Sequence, residues 1–202
     1  MADGTGFGTA TAHSAGLSVA VFCGARPGHS PRVVECAEEV GALLGVRGHR
    51  LVYGAGGVGV MGAVARAAQR HGALVTGVIP RFLRELERDD VAPEQELLVT
   101  NDMFERKRVM LERADVFLAL PGGYGTLDEV IEVVSLNYLG QRPRPLVLLD
   151  VDDFWAPLSR TLAAVQHRGF IRDFAPAPFE IAGDPAAAIA AVEKMSGRCD
   201  ER

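Results

Sequence analysis

Short apolar runs alternate along the chain with segments in which apolar residues recur every three or four positions. The apolar runs predict buried strands over 17–23, 49–53, 73–79, 97–99, 115–120 and 145–149. The helical spacing predicts helices over 31–47, from the 54–62 turn to about residue 71, and over 102–113, 127–139, 154–167 and 185–195. The charged segment 81–96 predicts an irregular crossing with a helical start.

This alternation of strands and helices predicts an α/β fold. We expect a doubly wound, mostly parallel sheet of the Rossmann type with helices on both faces. No linker or internal repeat divides the chain, so 17–195 is predicted to be a single nucleotide-binding domain. The first 16 residues are rich in Gly, Ala, Thr and Ser, which predicts a disordered tail.

Two glycine-rich turns each connect a predicted strand to a predicted helix. One is Pro121-Gly122-Gly123-Tyr124-Gly125-Thr126, and the other spans 54–62. Glycine lets a ligand approach the main chain, and the free amides and dipole at a helix N-terminus attract anions. Both turns therefore predict a phosphate site at the carboxyl edge of the sheet. A tight turn with a good helix cap is the simpler alternative.

The 54–62 turn also fits the dinucleotide fingerprint, as Gly54-x-Gly56-x-x-Gly59. It follows the second predicted strand, however, and no acidic residue for a ribose hydroxyl occurs before Glu85. An NADP site that uses Arg81 has no further support. A mononucleotide held by both turns fits the sequence better.

Composition excludes several classes of function. The net charge of −5 without a long basic run argues against nucleic-acid binding. No apolar run approaches about 18 residues, so no membrane span is predicted. Three widely spaced cysteines predict a reducing cytoplasm and neither disulfides nor a zinc site. No cluster has metal-ligand spacing, and the P-loop signature Gly-Lys-Ser/Thr is missing.

Two charged residues are candidates for catalysis. Arg106 borders the apolar stripe of Met103 and Met110 in the predicted 102–113 helix. Its side chain either reaches out to water or enters the ligand crevice, where its planar fork suits phosphate or carboxylate. Glu129 follows Thr126 at the spacing of a capping box, so its carboxylate has either that structural role or a catalytic one.

Four segments of the chain resemble the LONELY GUY family, the cytokinin riboside 5′-monophosphate phosphoribohydrolases that are often mislabelled lysine decarboxylases. Family members have a PGGxGTxxE segment, which here is 121–129, and an MxxRK segment, which here is 103–107. Their first strand ends in Cys-Gly, as at Cys23-Gly24, and a glycine turn like that of 54–62 follows.

The resemblance implies hydrolysis of the N-glycosidic bond of a nucleoside 5′-monophosphate, such as a cytokinin riboside monophosphate or an AMP-like nucleotide, without metal or cofactor. It implies Arg106 and Glu129 as the catalytic pair, and a homodimer with the site near the interface. Further residues are implied to bind the phosphate or nucleotide: Gly24, Gly56, Gly57, Gly59, Met103, Lys107, Gly122, Gly123, Tyr124, Gly125 and Thr126.

The chain departs from the usual family pattern at Ala25, Ala55, Leu136 and Tyr138. These departures leave open which base is released. A family branch that acts on another nucleotide and a protein that senses a nucleotide without cleaving it are the alternatives. A pyridoxal-phosphate decarboxylase needs a lysine for its Schiff base. Lys107 is the only lysine in the predicted body of the fold and lies in the MxxRK segment.

Overall fold

The computed structural model describes residues 16–86, 96–140, 144–172 and 178–197. The predicted disordered tail therefore lies outside the described residues, apart from Gly16. The strands are β1 (Ser18–Phe22), β2 (Arg50–Tyr53), β3 (Val75–Pro80), β4 (Glu96–Thr100), β5 (Val116–Ala119), β6 (Leu146–Leu149) and β7 (Glu180–Ala182). The helices are α1 (Pro31–Val46), α2 (Gly59–Arg70), α3 (Arg81–Leu86), α4 (Met103–Arg113), α5 (Tyr124–Tyr138), α6 (Ala156–His167) and α7 (Pro185–Gly197).

The strands form one sheet in the order β4-β3-β2-β1-β5-β6-β7, and all six pairings are parallel. The order runs outward in one direction from β1 to β4 and in the other from β5 to β7. The direction therefore reverses between β1 and β5, where Val21 lies beside Leu118. This arrangement confirms the predicted doubly wound fold, and such a reversal point opens a crevice beyond the strand ends.

Side chains of alternate residues in the central strands pack into two separate hydrophobic cores, one on each face of the sheet. Val19 and Val21 of β1 point to the core shared with α1, α2 and α7. Ala20 and Phe22 point to the opposite core, which contains Met110 of α4 and buried residues of α5. Because side chains alternate across a strand, a sheet covered on both faces must be apolar along its whole length. This is why the central strands appear in the sequence as continuous apolar runs.

Three details differ from the sequence-based prediction. The short strand β7 was not predicted, and Pro80 ends β3 as its last residue. The α5 helix begins at Tyr124 with Gly123 as its N-cap. The predicted capping box is therefore wrong, because Thr126 and Glu129 lie inside the helix. By contrast, the start of the helix predicted over 102–113 is confirmed: Asp102 is the N-cap of α4, and its carboxylate accepts a hydrogen bond from the Glu105 amide.

Candidate active site

A cavity of about 720 Å³ opens at the carboxyl ends of β1 and β5. Its wall is made from the loop after β1, the start of α2, one side chain of α4, the turn after β5 with the start of α5, and the loop after β6. The cavity therefore lies at the reversal point of the sheet, where ligands of doubly wound folds bind.

The turn between β5 and α5 leaves open space beside its glycines. A Cβ added at Gly123 or Gly125 meets no atom within 4 Å, and both residues line the cavity. Gly122 differs, because a Cβ there would collide with the Thr126 hydroxyl oxygen. Gly122 is therefore required by the fold of the turn itself, whereas Gly123 and Gly125 keep the cavity wall free of side chains.

The turn between β2 and α2 is filled by the protein's own atoms. A Cβ at Gly54 would collide with the Arg106 guanidinium, and one at Gly59 would collide with the carbonyl oxygen of Ala25. Gly59 also has a φ of +59°, which disfavours other residues. Gly56, with Met61 Sδ 3.1 Å from such a Cβ, lies against the protein too. Gly56, Gly57 and Gly59, which the family resemblance implied for phosphate binding, are not among the described residues that line the cavity.

Gly24 connects the two turns. Its amide donates to the Pro121 carbonyl at 3.3 Å, and its carbonyl accepts from the Met61 amide at 3.1 Å. A Cβ at Gly24 would lie 3.0 Å from the Arg26 carbonyl oxygen. The neighbouring Cys23 thiol is buried on the cavity floor, and burial raises its pKa, with Glu129 adding to the shift and Arg106 opposing it. Cys23 is thus a packed, protonated thiol.

Arg106 enters the cavity wall. Only 6% of the residue is exposed, so the alternative in which it reaches out to water is wrong. Its Nε donates to the Val78 carbonyl at 3.1 Å and its Nη2 to the Gly54 carbonyl at 3.3 Å. Its Nη1 also lies 3.8 Å from Met103 Sδ. The β2–α2 turn and the end of β3 therefore fix the guanidinium beside the cavity.

Glu129 lies in the second turn of α5 and lines the same cavity, with 7% of the residue exposed. No hydrogen bond or ion pair among the described residues involves its carboxylate. Burial raises the pKa of Glu129 to about 7, against the opposing charges of Arg106 and Lys107. A buried carboxylate without a partner costs free energy, and such groups are concentrated at functional sites.

Besides Gly56, Gly57 and Gly59, three more residues implied by the family resemblance lie outside the cavity lining of the described chain. The Lys107 ammonium is 2.9 Å from both Asp128 Oδ2 and Glu132 Oε2. Tyr124 is 93% exposed at the start of α5. Met103 is half-buried and contacts Arg106 through its sulfur. A role for these residues in binding nucleotide stays a prediction.

The wall formed by the loop after β6 was missed from the sequence. Asp152 and Phe154 line the cavity there. Asp152 has a φ of 55° and accepts a hydrogen bond from Ser30 Oγ at 2.7 Å, while Arg32 lies 3.5 Å away. The rule that ligands bind beyond the carboxyl ends of strands pointed to this loop. No glycine motif marked it.

The described residues contain no group of three or more potential ligands that could hold a metal ion. Among those same residues, no helix is long and apolar enough to cross a membrane.

Comparisons with known proteins identify the family. The family model described as "Possible lysine decarboxylase" matches residues 61–192. A cytokinin riboside 5′-monophosphate phosphoribohydrolase of Mycobacterium marinum is 44% identical over 156 residues, which cover 76% of this chain and 81% of that protein. The enzyme of the same name from Rhodococcoides fascians is 38% identical over 175 residues, which cover 87% and 88% of the two chains.

Solved structures agree with this fold. The Moco carrier protein from Chlamydomonas reinhardtii has a TM-score of 0.67 at 23% identity, covering 91% of this chain and 99% of that chain. The molybdenum cofactor binding protein from Rippkaea orientalis has a TM-score of 0.63 at 23% identity, covering 89% and 97%. At these identities the likeness concerns the fold alone. By the sequence matches, the chain belongs to the LONELY GUY family, together with the cytokinin riboside 5′-monophosphate phosphoribohydrolases.

Proposed function

We propose that this protein hydrolyses the N-glycosidic bond of a nucleoside 5′-monophosphate and releases a free base and ribose 5-phosphate. The observation that carries the proposal is Glu129, a buried carboxylate without a partner among the described residues that faces a cavity at the reversal point of the sheet. The relatives named cytokinin riboside 5′-monophosphate phosphoribohydrolase support the same reaction.

The turn after β5 is the proposed site of the 5′-phosphate. The first amides of α5 have no partners within the helix, and the helix dipole adds positive potential there. The space beside Gly123 and Gly125 is open to a ligand. These features support a phosphate held by main-chain amides from Gly122 to Thr126, which would anchor the sugar about one helical turn away from Glu129.

The proposed chemistry proceeds through an oxocarbenium-like sugar, as glycosidic cleavage generally does. The bond between C1′ and the base nitrogen breaks, the oxygen of a water molecule bonds to C1′, and the base nitrogen gains a proton. The Glu129 carboxylate would stabilise the sugar cation and orient the water. Since burial raises the pKa of Glu129 to about 7, activity should increase with pH through this region as the carboxylate ionises.

Arg106 is proposed to act on the substrate with the N–H donors that the described residues leave free. A guanidinium has five N–H donors, and the three contacts to Val78, Gly54 and Met103 use three of them. The other two remain for an oxygen or nitrogen of the nucleotide. Because the other contacts fix the guanidinium, it would bind substrate without a large loss of side-chain entropy.

The identity of the released base depends on which nucleotide is the substrate. Cytokinin riboside monophosphates and AMP-like nucleotides are the first candidates for this substrate. Among the four departures from the family pattern, Ala25 lines the cavity, and Ala55 is buried in the β2–α2 turn. Leu136 and Tyr138 lie at the other end of α5, away from the cavity. Ala25 is therefore the departure with the most direct access to the nucleotide.

The lysine decarboxylase description fits the residues poorly. A Schiff base with pyridoxal phosphate requires a lysine that loses its proton readily. Burial alone would lower the pKa of Lys107, but its hydrogen bonds to Asp128 and Glu132 outweigh this and raise it. The second lysine of the chain, Lys194, is exposed on α7. Neither lysine lines the cavity, so the residues present do not fit this cofactor.

A homodimer in the cytoplasm is part of the proposal. Phe104 of α4 is 80% exposed, and Tyr124 and Ile131 of α5 are 93% and 40% exposed. These three define an apolar α4–α5 face that would be covered in a dimer.

Light scattering at micromolar concentration should give twice the chain mass. Phe104→Glu should yield monomers, whereas Phe170→Glu, at an equally exposed site after α6, should not. A mass near 21.5 kDa for the unaltered protein would contradict the dimer.

The experiment that tests the reaction is a panel of nucleoside 5′-monophosphates with the bases separated by chromatography. We expect release of base and ribose 5-phosphate from at least one nucleotide, and slow release from the nucleoside without its phosphate. Glu129→Gln is the matched control and should release base about 100-fold more slowly than the unaltered protein. Nucleotide binding without release of base from any member of the panel would contradict hydrolysis and favour a sensing protein.

A further inference from the structure

Lys107 connects the two helices that carry the proposed catalytic pair. It follows Arg106 in α4, and its ammonium lies 2.9 Å from Asp128 Oδ2 and 2.9 Å from Glu132 Oε2 of α5. Only 14% of the Lys107 side chain is exposed. The Asp128 and Glu132 side chains are 59% and 34% exposed, so salt and water weaken the pair with Glu132 less than the pair with Asp128.

The two carboxylates paired with Lys107 flank Glu129. Asp128 precedes Glu129, and Glu132 lies three residues after it, nearly one turn further along α5. A single ammonium therefore fixes both sides of the helical turn from which Glu129 enters the cavity. Because Arg106 and Lys107 are adjacent in α4, the same contacts connect the helix that carries Arg106 to the helix that carries Glu129.

Charge adds a second consequence. Lys107 and Arg106 lower the pKa of Glu129, while burial, which is the largest cause, and the charges of Asp128 and Glu132 raise it. Other titratable groups face the same cavity from the loops after β1 and β6, namely Cys23, Arg26, His29 and Asp152. Lys107 is the cation that directly neutralises the two nearest carboxylates of α5.

We propose that Lys107 is a positioning residue for Glu129. It holds the turn of α5 that contains Glu129 against α4, and it neutralises the two carboxylates that flank Glu129. This inference rests on the proposed function, since it assigns Lys107 a part in the same reaction. Lys107 then acts without touching the nucleotide, which agrees with its place outside the cavity lining of the described residues.

The first test compares the pH–rate profile of Lys107→Met with that of the unaltered protein. Removing the cation leaves two unpaired carboxylates beside Glu129, so the midpoint of the profile should move to higher pH by about one unit. At about pH 7, kcat should fall by about five- to tenfold, and KM should change by less than about twofold. Lys194→Met, at the other lysine of the chain, should change neither quantity.

The second test restores the charge. Lys107→Met combined with Asp128→Asn removes one cation and one anion, so the midpoint should return to within about 0.3 units of its original value. Asp128→Asn alone should move the midpoint to lower pH, which keeps the test decisive if Lys107→Met does not fold. A KM raised by tenfold or more with an unchanged midpoint would overturn the proposal, because this is the effect expected for a lost contact to phosphate.

A third measurement separates this inference from the proposed function. Titration of the Glu129 carboxyl by ¹³C NMR, assigned with Glu129→Gln, reports its ionisation without substrate. A higher midpoint in Lys107→Met supports the inference even if no nucleotide of the panel is cleaved. An unchanged midpoint overturns it even if base release is normal.

Discussion

The two glycine-rich turns at the carboxyl edge of the sheet are alike in sequence and differ in what surrounds them. After β5, a Cβ at Gly123 or Gly125 meets nothing within 4 Å. After β2, a Cβ at Gly54 would collide with Arg106, and one at Gly59 with the backbone of Ala25. Gly123 and Gly125 of the β5–α5 turn leave space that a ligand can occupy. Gly54 and Gly59 of the β2–α2 turn leave space that other atoms of the protein occupy.

This difference assigns distinct tasks to the two turns. The β2–α2 turn braces Arg106, because the Gly54 carbonyl accepts its Nη2 hydrogen bond at 3.3 Å. The β5–α5 turn opens the cavity and leads into the helix that carries Glu129. A glycine motif alone therefore does not distinguish a ligand site from a packing site. The atom that a Cβ would meet does distinguish them.

The largest expected effect is that of Gly123→Val. Gly123 has φ −90° and ψ −157°, an extended conformation that valine adopts without strain. The added methyl groups enter space that we assign to the phosphate, so turnover should fall by more than about 100-fold. The melting temperature should stay within about 2 °C of the unaltered protein.

Gly183→Val is the matched control for this substitution. A Cβ at Gly183 also meets nothing within 4 Å, but this residue lies between β7 and α7, outside the cavity lining. It should leave both turnover and melting temperature unchanged. Normal turnover of a folded Gly123→Val protein would remove the distinction between the two turns.

The sequence predicts the fold well because its signals are local. Six of the seven described strands overlap an apolar run that predicted them, and the Asp102 cap marks the start of α4. The exception is β7, which has only three residues, two of them exposed, and pairs along one edge with β6. Too few residues are buried there to produce a pattern. The start of α5 was misplaced because Gly125, a residue typical of loops, lies in the first helical turn.

The parts of the site that the sequence did not predict depend on contacts between distant segments. The filling of the β2–α2 turn involves Ala25 and Arg106, which come from other elements. The ion pairs of Lys107 depend on how α4 packs beside α5. The wall at Asp152 depends on the order of strands in the sheet. None of these has a spacing that could be recognised along the chain.

The second-largest effect, after that of Gly123→Val, is expected for Glu129→Gln, which should lower turnover by about 100-fold. The same change should stabilise the protein at high pH. Because the pKa of Glu129 is raised to about 7 by burial, the folded protein keeps this proton between about pH 4.5 and 7, where the unfolded chain has lost it. The stability of the unaltered protein therefore decreases as pH rises through this range.

Urea denaturation measures this effect. Glu129→Gln should exceed the unaltered protein by up to about 3 kcal/mol near pH 8 and show no gain near pH 4. Glu39→Gln, at an exposed glutamate of α1, is the control and should show no such pH-dependent gain. A purely packing role of Glu129 predicts the opposite sign at high pH, namely a loss of stability with normal turnover.

A smaller effect is expected for Gly54→Ala. Its Cβ would displace the Arg106 guanidinium, so turnover should fall by about tenfold through the misplaced side chain. The double variant with Arg106→Ala tests this route. If Gly54 acts only through Arg106, the two losses are not additive, and Gly54→Ala adds nothing once Arg106 is removed. Additive losses would mean that the β2–α2 turn contributes to the reaction independently of Arg106.

The smallest effect is expected for Ala55→Gly, at the position where family members usually have glycine. Ala55 is fully buried with a φ of 64°. Glycine removes the left-handed strain, worth about 1–2 kcal/mol, but loses a buried methyl group and adds entropy to the unfolded chain, which together cost about as much. Stability in urea should therefore change by less than about 1 kcal/mol.

If the β2–α2 turn serves packing, the KM and kcat of Ala55→Gly should be unchanged, since no ligand contacts the amides of this turn. A KM for the nucleotide that falls by more than about threefold would mean that this turn also holds the phosphate, as Gly56, Gly57 and Gly59 were predicted to do from the family resemblance.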